Sequence, residues 1–300
     1  MKIIAWTQWS DLNVPPEVEL RSPLTHPLDT SDLSDITFYV PTYFGGAKAL
    51  EYVKQMPALK YLQVPNAGYE DALAYLRDGL ILANAAGVHD DSTAELAIGL
   101  TIAARRGFVD FVRSQETGTW GHKKYPTMID SKIGIVGFGS IGKTIARNLS
   151  GFPVEIIPFT KTGSNGTNKI EELDSHLPYL DIVILILPLT EQSKHLFNSA
   201  RLALMKDGAL LVNVARGGVV DTEALLTELN SKRIYAAIDV TDPEPLPADH
   251  PLWRAPNLLI SPHVGGDSLA FEPRGRRLVE EQLARLVRGQ ELINIVAGGK

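Results

Sequence analysis

The stretch KIGIVGFGSIGKTIARNL, residues 132–149, sets an apolar strand against a glycine loop and the start of an amphipathic helix. Gly137, Gly139 and Gly142 form G-x-G-x-x-G. Glycine is common, and the pattern alone is also that of a plain turn. Here it follows a strand and opens a helix, which is the setting a dinucleotide needs. The first glycine permits the tight turn, the second lets backbone approach a pyrophosphate, and the third packs helix on strand. The helix N-terminus, with Ser140 and Ile141, then offers N–H donors to the phosphates. An acid that binds the adenosine ribose usually follows about 20 residues on. The next strand, VEIIPF, ends instead in Thr160-Lys161-Thr162. A carboxylate would repel a ribose 2′-phosphate, whereas Thr160 can donate a hydrogen bond and Lys161 supplies charge. NADP(H) is therefore expected over NAD(H). An ordinary solvated lysine at a loop start is the alternative.

This loop begins nearly halfway along a chain of 300 residues, long enough for two domains of ordinary size. At 44% hydrophobic and 21% charged, the composition is that of a globular protein. A formal net charge of −6 disfavours a nucleic-acid or anionic-membrane surface. With no cysteine, disulfides, thiolate metal sites and cysteine nucleophiles are excluded. The histidines show no metal-ligand spacing, and no metal is expected. The N-terminal apolar run is too short for a signal peptide, and no run approaches membrane-spanning length. The expectation is a cytoplasmic protein with no membrane or nucleic-acid partner.

Strand-like and helix-like runs alternate along most of the chain. KIIAW, ITFYV, KYLQV and LILAN read as strands in the first part. KIGIVG, VEIIPF, DIVILIL, GALLVNV, IYAAIDV and NLLIS do so in the second. Near-continuous apolar runs are those of parallel strands covered on both faces. The alternation predicts doubly wound α/β architecture, and the number of strands predicts two parallel-sheet domains. Between the halves, Ser92 and Glu95 have capping-box spacing, so a long helix is expected to start near Thr93. The final amphipathic run, AFEPRGRRLVEEQLARLVRGQ, is expected to pack back on the first domain.

Beyond the glycine loop, three polar residues stand directly after apolar strands. Arg216 follows ALLVNVA, Glu244 lies in AAIDVTDPEPLP, and His263 follows NLLIS. Ligands of open α/β sheets sit outside the carboxyl ends of the strands. Singly, each residue has a bland explanation: a solvated turn, a solvent-facing loop acid, a structural histidine. Together they offer a guanidinium for an anion, an imidazole for proton transfer, and a carboxylate to orient that imidazole and favour its protonated form.

In the segments GIVGFGSIGKTIAR, LPLTEQSKHLFN, MKDGALLVNVARGGVVDTEAL, AAIDVTDPEPLPADHPLW and NLLISPHVGG the chain resembles the D-isomer-specific 2-hydroxyacid dehydrogenase family. The resemblance implies a flavodoxin-like substrate-binding domain, residues 1–98 with 268–300, into which a Rossmann dinucleotide-binding domain, 99–267, is inserted. It implies that Arg216 holds the substrate carboxylate, that His263 exchanges a proton with the reacting oxygen, and that Glu244 pairs with His263. It places Pro188, Ser193 and Ala215 along the cofactor channel and Asp239 at the nicotinamide carboxamide. Ala67 and Gly68, in VPNAGYE, match a loop whose N–H groups bind the substrate carboxylate, although NAGY could equally be a turn. The expected partners are a small 2-keto acid such as glyoxylate or hydroxypyruvate and a second copy of the chain. Trp120 could reach a neighbouring subunit, with packing as the simpler expectation. His89, before a helix cap, could approach the active cleft, with a structural role as the simpler expectation. The competing functions are phosphite-type oxidation and a nucleotide-sensing corepressor of the same fold.

Overall fold

The computed structural model describes residues 2–298, which form two compact units. One runs up to His89 and resumes at Leu269; the other is Asp90–Ser268. The chain leaves the first unit at 89/90, where the sequence boundary was drawn at 98/99. The helix at the junction is one element, and its buried residues Ala94, Ala97 and Leu100 pack in the core of the second unit.

The first unit opens with β1 (Ile3–Trp6), β2 (Val18–Arg21), β3 (Phe38–Tyr39), α1 (Gly46–Glu51), β4 (Tyr61–Gln63) and β5 (Ile81–Ala83). The second contains α2 (Asp90–Arg106), α3 (Phe108–Glu116), β6 (Lys132–Val136), α4 (Ser140–Leu149), β7 (Glu155–Thr160) and β8 (Asn168–Lys169). It continues through α5 (Leu173–His176), β9 (Ile182–Leu185), α6 (Ser199–Leu204), β10 (Leu210–Asn213), α7 (Thr222–Asn230), β11 (Tyr235–Ile238) and β12 (Leu258–Ile260). The first unit is completed by α8 (Phe271–Val287) and β13 (Ile295–Ala297).

In the first sheet the order is β2-β1-β3-β4-β5-β13; the first five strands are parallel and β13 is antiparallel to β5. Strands 2-1-3-4-5 are the flavodoxin-like arrangement. Successive side chains of a strand leave opposite faces. Ile3 and Ala5 accordingly pack with Phe271, Val279 and Leu283 of α8, while Trp6 packs with Leu50 of α1 on the other face. Buried Gln282 fastens α8 by donating to the Gln63 side chain (2.8 Å) and the Ile293 carbonyl (2.8 Å).

The second sheet is parallel throughout, in the order β8-β7-β6-β9-β10-β11-β12. This is the Rossmann order extended by one strand. The chain direction across the sheet reverses between β6 and β9, the place where such sheets hold ligands.

Strands β2, β8 and β13 were not foreseen, because runs of two to four residues carry too little periodicity to separate from loop. YEDALAYLRDG yields only a 3₁₀ segment, Glu70–Tyr75. Helix α2 starts at Asp90, three residues before the expected Thr93, with Asp90 and Asp91 in the first turn, where the helix dipole favours acids. Among the described residues no helix is long and apolar enough to cross a membrane.

Candidate active site

The glycine loop joins β6 to α4. Gly137 lies in the left-handed region (φ +99°), and a Cβ there would sit 2.2 Å from the Ile186 carbonyl oxygen. A Cβ on Gly142 would sit 2.3 Å from the Gly137 oxygen, so helix and loop close on each other with no room for a side chain. Around Gly139, by contrast, a Cβ would meet nothing within 4 Å. The open side of the loop thus lies at the start of α4, where the N–H groups of Ser140 and Ile141 belong to the first turn and have no intrahelical acceptor. Bare backbone and N–H donors facing free space fit the pyrophosphate of a dinucleotide.

At the end of β7, Thr160 Oγ1 accepts the Gly163 N–H (3.1 Å) and lies 2.7 Å from Thr167 Oγ1. Thr167 in turn donates to the Ser164 carbonyl (2.7 Å), so the Thr160 proton goes to Thr167. Thr160 therefore shapes this loop with a hydroxyl that sequence reading assigned to a phosphate. Lys161 is exposed on it. Ser193 is similarly committed: buried, it donates to the Pro188 carbonyl (2.7 Å) and accepts the Thr190 N–H (2.7 Å). It closes the turn on which Pro188 is exposed.

Arg216 follows β10, where a buried Asn213 was overlooked in the sequence. Its side chain accepts the Ala215 N–H (3.1 Å) and donates to the Arg216 carbonyl (3.0 Å), fixing the backbone on either side of the arginine. Arg216 Nη1 donates to the Ala215 carbonyl (2.7 Å). The next residue brings two loops together: a Cβ on Gly217 would lie 1.9 Å from the Thr241 carbonyl oxygen. Only glycine lets the β10 loop approach the β11 loop so closely, and the β11 loop carries Glu244.

Glu244 Oε1 and His263 Nδ1 share a short hydrogen bond, and the other Glu244 oxygen accepts the Thr241 N–H (3.4 Å). The Glu244 hydrogen bond raises His263 above its ordinary value, against burial and the Arg216 charge, which push it down. Burial pushes Glu244 up, but the His263 hydrogen bond, the His263 charge and Arg216 together hold it below the usual range. Arg216 acts electrostatically on both members of the pair, and Arg216, Glu244 and His263 all lie on the loops that follow β10, β11 and β12.

His263 has a left-handed backbone (φ +54°), unusual for a residue other than glycine and a form of strain often found at functional sites. Asp239 holds it there. The Asp239 carbonyl accepts the His263 N–H (2.7 Å). Its buried carboxylate accepts the Ser261 hydroxyl (2.5 Å) and the N–H groups of Val264 (3.0 Å) and Gly265 (2.8 Å). The resemblance gave Asp239 a nicotinamide contact; in the structure its oxygens organise the loop that presents His263. Ser261, a partner in that knot, was also not singled out in the sequence.

Ala67 and Gly68 lie in the first unit, on the loop after β4. Trp120 is 95% exposed rather than packed.

A family model described as D-isomer specific 2-hydroxyacid dehydrogenase, NAD binding domain, matches residues 98–265. The glyoxylate reductase of Thermofilum pendens is 32% identical over 255 residues, covering 80% of this chain and 75% of the relative. The hydroxypyruvate reductase of Thermotoga maritima is 35% identical over 212 residues, covering 68% of this chain and 69% of the relative. Among solved structures, a D-isomer specific 2-hydroxyacid dehydrogenase from Xanthobacter autotrophicus Py2, in complex with NADPH and MES, matches with a TM-score of 0.78 at 25% identity. That match covers 99% of this chain and 98% of the other.

Proposed function

The chain belongs to the D-isomer-specific 2-hydroxyacid dehydrogenase family, and from that premise we propose an NADPH-preferring reductase of small 2-oxo acids such as glyoxylate and hydroxypyruvate. The observation that carries this reading is the Glu244–His263 pair with Arg216 beside it. The Arg216 fork matches a planar carboxylate in two hydrogen bonds, which lysine cannot reproduce. Its charge also draws electron density toward the neighbouring carbonyl oxygen of a 2-oxo acid. His263, protonated through its bond to Glu244, carries its second N–H on Nε2. There it donates a proton to the oxygen that becomes the hydroxyl, and in the reverse direction takes it back. When bound, the nicotinamide supplies or receives the hydride. Asp239 and Ser261 keep the imidazole at the strand ends, and Asn213 keeps Arg216 there.

Gly137, Gly139, Ser140, Ile141 and Gly142 are the residues assigned to the pyrophosphate, with Pro188 and Ala215 along the cofactor. The residues up to 89 and from 269 are assigned to substrate and the intervening ones to the nucleotide. Lys161 carries the NADPH preference, supported by the absence of an acid at the end of β7 and by the NADPH complex of the Xanthobacter relative. A homodimer through the second unit is supported by the exposed Phe108, Phe111 and Val112 of α3. The cytoplasm is the compartment where the cofactor pool would serve such an enzyme.

The test follows NADPH and NADH oxidation separately across a panel of 2-oxo acids. Wild type should favour NADPH, and Lys161→Ala should lower the NADPH/NADH ratio of kcat/KM about tenfold or more, the weight of one charge-assisted contact. No turnover with any 2-oxo acid would reject the reductase. A ratio unmoved by the substitution would reject the role of Lys161.

A further inference from the structure

Asn-Gly occurs once in the chain, at residues 165–166, on the loop that follows β7. Both residues have left-handed backbones, φ +56° and +78°, and the Thr167 N–H donates to the Ser164 carbonyl (3.3 Å), as in a type I′ turn. Both are exposed, and among the described residues neither the Asn165 amide nor the Gly166 N–H has a hydrogen-bond partner. Two other asparagines share the left-handed backbone, Asn257 (φ +58°) and Asn294 (φ +58°). Their amides are occupied, donating to the Ile234 carbonyl (3.3 Å) and the Ala86 carbonyl (2.9 Å), and the branched Leu258 and Ile295 follow them.

We propose that Asn165 is a site of spontaneous deamidation and that the carboxylate it leaves turns the cofactor site away from NADPH. Opening the turn breaks one long hydrogen bond, and glycine is free to follow the rotation that brings its nitrogen to the Asn165 side chain. The space is open, since a Cβ on Gly166 would meet nothing within 4 Å. The Gly166 nitrogen gives its proton to solvent base and bonds to Asn165 Cγ, and the side-chain nitrogen leaves as ammonia. The cyclic imide so formed takes up one water and opens at either carbonyl, to aspartate or isoaspartate. Each product carries a negative charge that asparagine lacks.

The charge falls on the loop assigned to the ribose 2′-phosphate. Thr160, next to Lys161, lies 2.7 Å from Thr167 (Oγ1 to Oγ1), so Lys161 and Asn165 belong to one closed loop, residues 160–167. A carboxylate there repels the phosphate and competes with it for Lys161. Isoaspartate also adds a methylene to the main chain, inside the loop that Thr160, Ser164 and Thr167 hold. NADH has a hydroxyl in place of the phosphate and escapes the repulsion.

The coupling to the cofactor rests on the assignment of Lys161 to the 2′-phosphate, whereas the deamidation does not, and the two are read separately. Wild type and Asn165→Gly, which suits the turn and lacks the amide, are held at mildly alkaline pH. Peptide mass spectrometry and isoaspartate-specific methylation should find residue 165 of the wild type converting to acid while Asn257 and Asn294 stay amides. Over the same interval the Kd for NADPH, from titration of its fluorescence, should rise about fivefold, the effect of one added charge. The Kd for NADH should stay near its starting value. Asn165→Asp should bind NADPH more weakly from the outset, and Asn165→Gly should keep its affinity throughout. An Asn165 that stays an amide in the folded protein, while the free peptide SNGTN deamidates in the same buffer, overturns the site. An Asn165→Asp protein that binds NADPH as tightly as wild type overturns the coupling. If Lys161→Ala also binds it as tightly, the 2′-phosphate assignment falls as well.

Discussion

Replacing His263 by asparagine should lower kcat for 2-oxo acid reduction by about 10²–10⁴-fold while leaving NADPH affinity close to that of the wild type. Asparagine is the informative substitution because it tolerates the left-handed backbone that His263 adopts, whereas alanine would add strain at φ +54°. The loop should therefore survive: the Asp239 contacts to Ser261, Val264 and Gly265 do not involve the imidazole. What is lost is the proton that His263 holds through Glu244. Single-turnover NADPH oxidation and a separate NADPH titration would distinguish the two effects. Equal loss of turnover and nucleotide affinity would mean that His263 supports the cofactor and is not the acid.

Arg216→Ala should lower kcat/KM for glyoxylate by about 10²–10⁴-fold, the weight of two charge-assisted hydrogen bonds at about 1.5–3 kcal/mol each. Arg216→Lys should recover only part, because an ammonium keeps the charge and loses the fork. A second consequence has a definite sign. The Arg216 charge pushes His263 down, so its removal should let His263 titrate at higher pH. The residual activity of Arg216→Ala should accordingly persist to higher pH than that of the wild type. Full activity in the lysine variant would show that charge alone suffices and that bidentate recognition of the carboxylate plays no part.

Arg216, Glu244 and His263 could be read from the sequence because each stands in the loop that follows an apolar strand, and parallel sheets gather strand ends on one side. The glycine loop was readable from its place between an apolar strand and a helix; Gly137 and Gly142 answer steric demands between β6 and α4, while Gly139 leaves the loop open. The supporting polar groups were not readable. Asp239, Ser193 and Thr160 occupy positions suited to cofactor contact. Whether their oxygens face outward or close a turn depends on partners three to 26 residues away. Asn84 and Asn213 end apolar strands, where asparagine looks like an ordinary turn residue; their burial and paired hydrogen bonds appear only once the loops are folded. The short edge strands β8 and β13 escaped because pairing with a neighbour, and no local pattern, makes them strands.

The coupling of Glu244 to His263 is tested most directly by the pH dependence of kcat/KM for NADPH-linked glyoxylate reduction in wild type and Glu244→Gln. His263 must be protonated to act as the acid, so the wild-type rate should fall only as pH rises through a value above 6.5, the ordinary histidine value. In Glu244→Gln the hydrogen-bonded carboxylate charge is gone, while burial and Arg216 still push the imidazole down, so the fall should begin at lower pH. Superimposable descending limbs in the two proteins would contradict proton donation by a His263 that Glu244 keeps charged.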